Sequence, residues 1–280
     1  MEVNLKNYGE NNWKDKVTAI GGKAITYDAI GNPLTYDGWT FTWKAGRMLA
    51  SVVKNGTNAQ FTYDHNGMRI KKVVNGVTTN YTLNGKNVVH MTQGGYDLHF
   101  FYDAQGKPAM VRFNGTDYFY VYNLQGDVVG MIDTNGTLVV EYVYDAWGAP
   151  IAKAGTLAAT LGTLNPFRYR GYVYDEETGL YYLRSRYYNP VWKRFINSDS
   201  TVSFGGLLGG NVFEYCANSP SNYIDEIGGW WQGAIHRAVQ MDIIAHNPNI
   251  IMEVHVIQEG DIKKMEESIC IMLEQEKHGK

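Results

Sequence analysis

Residues 168–199 read RYRGYVYDEETGLYYLRSRYYNPVWKRFINSD and hold seven of the chain's 21 tyrosines together with five arginines. The runs 172–174 and 180–183 favour strands, because aromatic and β-branched side chains pack well on a pleated surface. Between them, residues 175–179 predict a hairpin turn that ends in a glycine able to take positive φ. Arginine guanidinium planes stack on tyrosine rings, so the stretch is typical of a packed β-structure.

A short unit, an aromatic residue followed by Asp-x-x-Gly, recurs upstream of that stretch. Its copies lie roughly 16 to 22 residues apart, about one hairpin, which is the spacing of a repeat array. The tyrosine covers a half-buried sheet surface, the aspartate starts a turn with its side-chain acceptor, and the glycine supplies positive φ. The full copies are Tyr27-Asp28…Gly31, Tyr63-Asp64…Gly67, Tyr102-Asp103…Gly106 and Tyr144-Asp145…Gly148, and the degenerate copies are Trp43…Gly46, Tyr81…Gly85 and Tyr122-Asn123…Gly126.

Asn-Gly dipeptides punctuate the same region and strengthen the prediction of hairpins. Asn-Gly fits a type I′ turn, whose twist matches that of the flanking strands. The dipeptides lie at 55–56, 66–67, 75–76, 84–85, 114–115 and 135–136. The periodicity therefore predicts an all-β fold, a long antiparallel sheet over residues 25–160.

The run 169–200 closely resembles the RHS-repeat-associated core, and the upstream units resemble YD repeats. The chain is thus similar to the C-terminal portion of teneurin-like YD-shell proteins and of polymorphic toxins of the RHS/WapA type. The resemblance implies a partial β-shell, built by the repeats and closed by the core, that encapsulates and presents a C-terminal effector. It divides the chain into a lead-in (1–24), a YD-repeat sheet (25–160), a core (161–228) and a variable tail (229–280).

The resemblance gives the conspicuous residues of the repeats and the core a structural role. These are Tyr27, Asp28, Tyr63, Asp64, Tyr102, Asp103, Tyr144, Asp145, Arg168, Arg170, Gly171, Tyr181, Tyr182, Arg184, Arg186, Tyr187, Tyr188 and Pro190.

Composition bounds the remaining possibilities. A formal net charge of −3 gives no electrostatic reason for the whole chain to bind nucleic acid. Two cysteines, Cys216 and Cys270, provide neither a disulfide framework nor metal-ligand spacing, and we expect no metal and no cofactor. The N-terminal residues lack a signal peptide, and no segment is apolar enough to span a membrane. Expressed alone, the chain is expected in the cytoplasm; as part of a longer protein, it is expected to be secreted or cell-surface.

Two aspartates, Asp199 and Asp225, match the family's paired aspartates near the junction with the tail. Such carboxylates form an aspartyl-protease-like pair in some members, where one acts as base and the other as acid. The proline that follows each in the family is Ser200 and Glu226 here. The alternatives are turn-capping and self-cleavage near Gly228 and Gly229.

The tail beyond residue 229 has the pattern helix, strand, helix, an α/β segment too short for a core of its own. It resembles the start of a restriction-endonuclease-like toxin tip with a DNA or tRNA target. An active tip would use Glu253, Asp261 and Lys263 to hold Mg²⁺, and an immunity protein would be its partner. A truncated tip is the competing interpretation. A third reading, a glycan-binding module, rests on tyrosine rings that sheet packing also explains.

Overall fold

The computed structural model describes residues 6–8, 14–199, 211–225, 228 and 232–233. Its main feature is one antiparallel sheet of sixteen strands in strict chain order. The strands are β1 Lys6–Tyr8, β2 Val17–Ile20, β3 Lys23–Tyr27, β4 Pro33–Tyr36, β5 Trp39–Lys44, β6 Met48–Lys54, β7 Thr57–Tyr63, β8 Arg69–Val74, β9 Val77–Asn84, β10 Asn87–Gln93, β11 Tyr96–Tyr102, β12 Pro108–Phe113, β13 Thr116–Tyr122, β14 Val128–Ile132, β15 Leu138–Tyr144 and β16 Pro150–Ala154.

The prediction of an all-β, antiparallel fold is confirmed. The sheet starts earlier than the periodicity indicated, since β1 and β2 lie within the lead-in 1–24. The expected α/β tail lies outside the described residues, except for β22 Gln232–Gly233. Among the described residues, no helix combines the length and apolar character that crossing a membrane would need.

All seven aromatic units of the repeat lie at the same end of the strands of this sheet. In a meander, successive hairpins alternate between the two ends of the strands. The turns that follow Tyr27, Trp43, Tyr63, Tyr81, Tyr102, Tyr122 and Tyr144 are alternate hairpins of the strict strand order. One repeat is therefore two strands, and we call this end of the sheet the YD edge.

The aspartate of each full repeat builds the turn with its own side chain. Asp64 Oδ1 accepts the backbone N–H groups of Asn66 and Met68, both at 2.9 Å. The Asp64 N–H donates to the Met68 carbonyl at 2.8 Å. The same side-chain bonds recur at Asp28, Asp103, Asn123, Asp133 and Asp145. Asp133 was missed because no tyrosine precedes it, and its turn lies at the opposite edge.

Four of the repeat tyrosines connect their repeat to the one before it. The Tyr102 hydroxyl donates to the Val88 carbonyl at 2.7 Å, fourteen residues upstream. Equivalent bonds join Tyr63 to Leu49, Tyr122 to Pro108 and Tyr144 to Val128. We call this series the tyrosine ladder. The ladder gives the hydroxyl a role beyond surface coverage, because a phenylalanine would cover the same surface without the bond.

The Asn-Gly prediction is confirmed in part. At 75–76 and 114–115 both residues have positive φ, as a type I′ turn requires. At the other four dipeptides only the glycine has positive φ. Two of those, 66–67 and 135–136, lie inside Asp-x-x-Gly turns, where the aspartate side chain fixes the asparagine's conformation.

The core packs against one face of the long sheet. It contains α1 Leu161–Leu164, a 3-10 turn Tyr169–Gly171, and a second antiparallel sheet of β17 Val173–Asp175, β18 Leu180–Tyr182, β19 Tyr187–Asn189 and β20 Arg194–Phe195. A further 3-10 turn spans Cys216–Asn218, and β21 Tyr223–Ile224 pairs with β22.

Two clusters of buried side chains join the long sheet to the core. Phe167 joins strands β9–β15, while Tyr182, Tyr187 and Trp192 join strands β2–β7. A third cluster lies within the core around Tyr181 and Tyr215. The predicted hairpin at 175–179 is present, with Gly179 at φ 70° and its N–H donated to the Asp175 carbonyl at 2.8 Å.

Candidate functional site

The two candidate aspartates meet at the core arginine. Arg186 Nη2 lies 3.3 Å from Asp199 Oδ2 and 3.3 Å from Asp225 Oδ2. The arginine follows β18 and its guanidinium stacks on the Phe195 ring, 3.5 Å from the centroid. Arg186 and Asp225 are buried, and Asp199 is largely so. The sequence predicted these carboxylates but not the cation between them.

The peptide unit at Gly228, the predicted cleavage zone, is bound by the same groups. Its N–H donates to Asp225 Oδ1 at 2.7 Å. Its carbonyl accepts the Ser185 hydroxyl at 2.8 Å and the Arg186 Nε–H. Gly228 has φ +74°, and a Cβ there would lie 2.7 Å from the Leu183 carbonyl oxygen, so this position requires glycine. Gly229 lies outside the described residues.

The contacts of this site favour a structural role. We call Arg186, Asp199, Asp225 and Ser185, together with the Gly228 backbone groups that three of them bind, the Arg186 clamp. Burial lowers the pKa of Arg186, and Asp199 and Asp225 oppose that effect. In an aspartyl-protease pair the two carboxyls share one proton, whereas here the Arg186 guanidinium lies between the two carboxylates and contacts each of them. Asp225 also caps the turn to Gly228, which is the turn-capping geometry. The arrangement therefore holds the chain at Gly228 directly, and it polarises the Gly228 carbonyl at the same time.

The Cys216 thiol, an electrostatic neighbour of Arg186, is not an available nucleophile. Burial raises the pKa of the Cys216 thiol to about 12, so the thiol stays protonated and unreactive near neutral pH. The candidate tip residues Glu253, Asp261 and Lys263 lie outside the described residues.

The predicted core tyrosines contact the turns of the YD edge. Tyr181 donates its hydroxyl to the Gly148 carbonyl at 2.8 Å, and Tyr188 donates to Trp147 at 2.7 Å. Tyr182 reaches the Gly67 carbonyl at 3.3 Å. Tyr187 shares a 2.7 Å hydrogen bond with the ladder residue Tyr63. The core thus binds the same turns that the repeat aspartates build.

The predicted core arginines divide between packing and turn recognition. Arg168 is buried, stacks 4.2 Å from the Tyr142 ring centroid and donates to the Asn165 and Gly162 carbonyls. Arg170, at φ 57°, donates to the Gln125 carbonyl at 2.6 Å and to Pro220. Arg184 lines a cavity of about 110 Å³ between the core and strands β8–β12. Of the other predicted core residues, Gly171 has φ 69° and Pro190 is buried.

A buried ionic cluster escaped the sequence analysis. Arg69 on β8 donates to both carboxylate oxygens of Asp175, at 2.6 and 3.0 Å. Lys72 lies 3.0 Å from Asp175 and 2.9 Å from Glu177. The residues of the central pair are 106 positions apart. A pattern within either element carries no signal for a contact at that separation.

Comparison with known proteins identifies relatives of this chain by sequence. The tRNA nuclease WapA of Bacillus subtilis (strain 168) is 38% identical over 227 residues, covering 78% of this chain and 10% of the relative. The double-stranded DNA deaminase toxin A of Burkholderia cenocepacia (strain H111) is 36% identical over 114 residues, covering 39% of this chain and 8% of the relative. The chain therefore spans about a tenth of the length of these relatives.

Solved structures share the fold at low identity. The crystal structure of TcdB2-TccC3-Cdc42 matches with a TM-score of 0.59 and 18% identity, over 80% of this chain and 13% of that one. The Photorhabdus luminescens Tc holotoxin pore matches with a TM-score of 0.55 and 21% identity, over 72% of this chain and 10% of that one. The family described as Teneurin YD-shell matches residues 7–208. The Tyr-Asp turns all lie at one end of the strands, and the core packs against them. This chain belongs to the Teneurin YD-shell family.

Proposed function

We propose that this chain is the closing portion of a shell that encapsulates and presents an effector carried downstream of Gly228. The single supporting observation is the Arg186 clamp. It ties the peptide unit at Gly228 to a core that is itself bonded along the YD edge. The chain is thus fixed to the wall at the point where the effector would begin. Its expected partners are that effector and upstream shell repeats, with an immunity protein for an active toxin.

Protease protection tests this role. The YD repeats of a relative would be fused upstream of residue 6, and digestion of residues 229–280 would be compared with digestion of the chain alone. Enclosure predicts that the tail survives in the extended protein and is cut in the short one. Equal digestion of both would contradict encapsulation. We place the longer protein at the cell surface or outside the cell, which fractionation of the native host tests.

Self-cleavage after Gly228 is our second proposal, and the bound Gly228 carbonyl supports it. Water would attack that carbonyl, with Asp225 or Asp199 taking its proton, and the Gly228–Gly229 bond would break as the amine gains a proton. The Arg186 guanidinium works against this reaction, because it lies between the two carboxylates that a protease pair would join directly. Intact mass of the purified chain tests it. A product ending at residue 228, lost in Asp225→Asn, supports cleavage, and an intact mass alone contradicts it.

The nuclease and glycan interpretations remain predictions. A Mg²⁺-dependent plasmid-nicking assay, with Glu253→Gln as control, tests the tail, and a tRNA substrate extends the assay to the second predicted target. A glycan array on the full chain tests the tyrosine surface. Activity on nucleic acid that Glu253→Gln abolishes would assign the enzyme to the tail.

A further inference from the structure

Two histidines and one aspartate converge on the face of the long sheet that points away from the core. His90 on β10 and His99 on β11 are directly opposite each other in the antiparallel register. Asp97 precedes His99 by two residues, so its side chain leaves the same face of β11. The neighbouring pair Met91 and Leu98 is buried on the opposite face.

The ligating atoms of the three side chains are already directed at one another. His90 Nε2 lies 2.8 Å from Asp97 Oδ2, and His99 Nε2 lies 2.9 Å from Asp97 Oδ1. The two imidazole rings stack with centroids 4.2 Å apart and an interplanar angle of 13°. One ligand atom from each residue falls within a span of 4.8 Å.

This donor set has a chemical preference. Imidazole nitrogen with one carboxylate oxygen suits zinc and neighbouring divalent transition metals, which bind histidine nitrogen at about 2.0–2.1 Å. Two neutral imidazoles and one carboxylate leave the ion partly unneutralised, and a fourth position stays open on the exposed side. Side chains exposed by 30%, 48% and 46% allow an ion to enter from solvent.

The surroundings keep the three residues in place and free of a competing cation. The Asp97 backbone N–H donates to Asn114 Oδ1 at 2.9 Å, which ties β11 to the next hairpin. Arg112 is opposite His99 on β12, but its guanidinium is bound by Asp117 at 2.6 and 3.0 Å. The neighbouring positive charge is therefore neutralised by a different carboxylate.

We propose that His90, Asp97 and His99 form a binding site for a divalent transition metal ion of the zinc class. The ion bridges β10 and β11 on the outward face of the sheet, far in sequence from the Arg186 clamp. The proposal concerns the described sheet alone and does not depend on the encapsulation proposal. Sequence spacing concealed it, because the histidines come together only through the hairpin register.

Calorimetric titration of the full chain with Zn²⁺ at neutral pH tests the site. We expect the wild-type chain to bind one equivalent more than the double variant His90→Ala/His99→Ala. Asp97→Asn should lower the Zn²⁺ affinity of this site at least about ten-fold. Loss of a residue that only supports a metal ligand already costs about that much, and Asp97 would be a ligand itself. His65→Ala is the matched control, since His65 is exposed in a turn of the same sheet and should leave the stoichiometry unchanged.

Tail histidines are a second source of binding that the design separates. The quadruple variant His236→Ala/His246→Ala/His255→Ala/His278→Ala should retain the equivalent that His90→Ala/His99→Ala loses. Thermal unfolding gives an independent measurement, because Zn²⁺ should raise the midpoint of the wild-type chain by more than that of the Asp97→Asn chain. Equal stoichiometry and equal midpoint shifts in the wild-type, Asp97→Asn and His90→Ala/His99→Ala chains would overturn the proposal.

Discussion

The long sheet and the core are built from the same residue types but are held in different ways. In the sheet, an aspartate bonds to the backbone two and four residues onward, and a tyrosine bonds about one repeat back. In the core, the stabilising contacts run between positions far apart, such as Arg69 with Asp175 and Tyr182 with Gly67. Local bonds repeat along the chain, whereas the core depends on tertiary contacts with the finished sheet.

This difference predicts where each region is sensitive to substitution. A change in one repeat removes one of many equivalent bonds, and its neighbours remain. A change in the core exposes an unpartnered charge or displaces a ring, for which no second copy exists. Unfolding free energies of variants in the two regions measure that contrast.

The largest expected effect is at Asp175. Asp175→Asn leaves Arg69 and Lys72 buried without a carboxylate, and we expect a loss of about 3–5 kcal/mol in the free energy of unfolding. Chemical denaturation measures it. Asp37→Asn is the control, because Asp37 pairs with Lys23 and Lys54 at the surface and should leave the midpoint unchanged. Similar shifts for both variants would contradict the contrast between the regions.

The same cluster predicts an acid dependence. Burial alone would raise the pKa of Asp175, but Arg69 and Lys72 outweigh it and hold that pKa below its usual value. The contribution is therefore complete above about pH 4, the pKa of an unfolded aspartate, and is lost as pH falls through the folded-state pKa. The stability difference between wild type and Asp175→Asn should shrink in acid. A difference that is constant from about pH 7 down to pH 2 would argue against it.

Glu177 should behave in the opposite way. Burial and then Asp175 raise its pKa, despite Lys72. Its contribution is present below about pH 4.3 and is lost as pH rises through the raised folded-state value. Glu177→Gln should therefore remove a loss of stability towards neutral pH, as read from unfolding midpoints across the same range.

An intermediate effect separates two equivalent glycines of the YD edge. Gly106 and Gly148 occupy the same turn position, with φ +79° and +85°. A Cβ at Gly106 meets nothing within 4 Å, whereas at Gly148 it would lie 2.5 Å from the Tyr169 ring. Gly106→Ala should cost about 1 kcal/mol and Gly148→Ala about 2–4 kcal/mol in unfolding free energy. Equal costs would mean that the core does not press on this turn.

The smallest effect is a single bond of the tyrosine ladder. Tyr102→Phe removes the hydroxyl that donates to Val88 and should cost about 1 kcal/mol in unfolding free energy. Tyr96→Phe, at the exposed start of the same strand, is the matched control and should change little. A cost for Tyr102→Phe as large as that for Asp175→Asn would erase the distinction between repeat and core.

The sheet could be predicted because its information is local. Tyr27-Asp28…Gly31 and its copies carry turn, strand and spacing within a few residues, so the antiparallel meander followed from them. The Asp133 turn could not be predicted from the repeat pattern, because no aromatic residue precedes this aspartate. The strands of residues 1–24 escaped because they carry no repeat signal.

The site could be predicted only by its carboxylates. Asp199 and Asp225 were named through a family resemblance, but the position of Arg186 between them depends on how β18, β19 and the loop to Gly228 fold together. The His90–His99 pair likewise depends on a register that spacing alone does not reveal. Both are products of tertiary structure.

The hydrogen bond from each ladder tyrosine to the preceding repeat sets the unit by which the sheet can lengthen. Because the bond from Tyr102 or Tyr122 spans fourteen residues, gaining or losing a whole strand pair leaves every remaining hydroxyl with a carbonyl to meet. An insertion of one residue within a strand would instead turn side chains to the wrong face. Duplication of complete strand pairs is therefore the change in length that this architecture tolerates. Sheets with very different numbers of strands can use the same tyrosine-to-carbonyl bond between repeats.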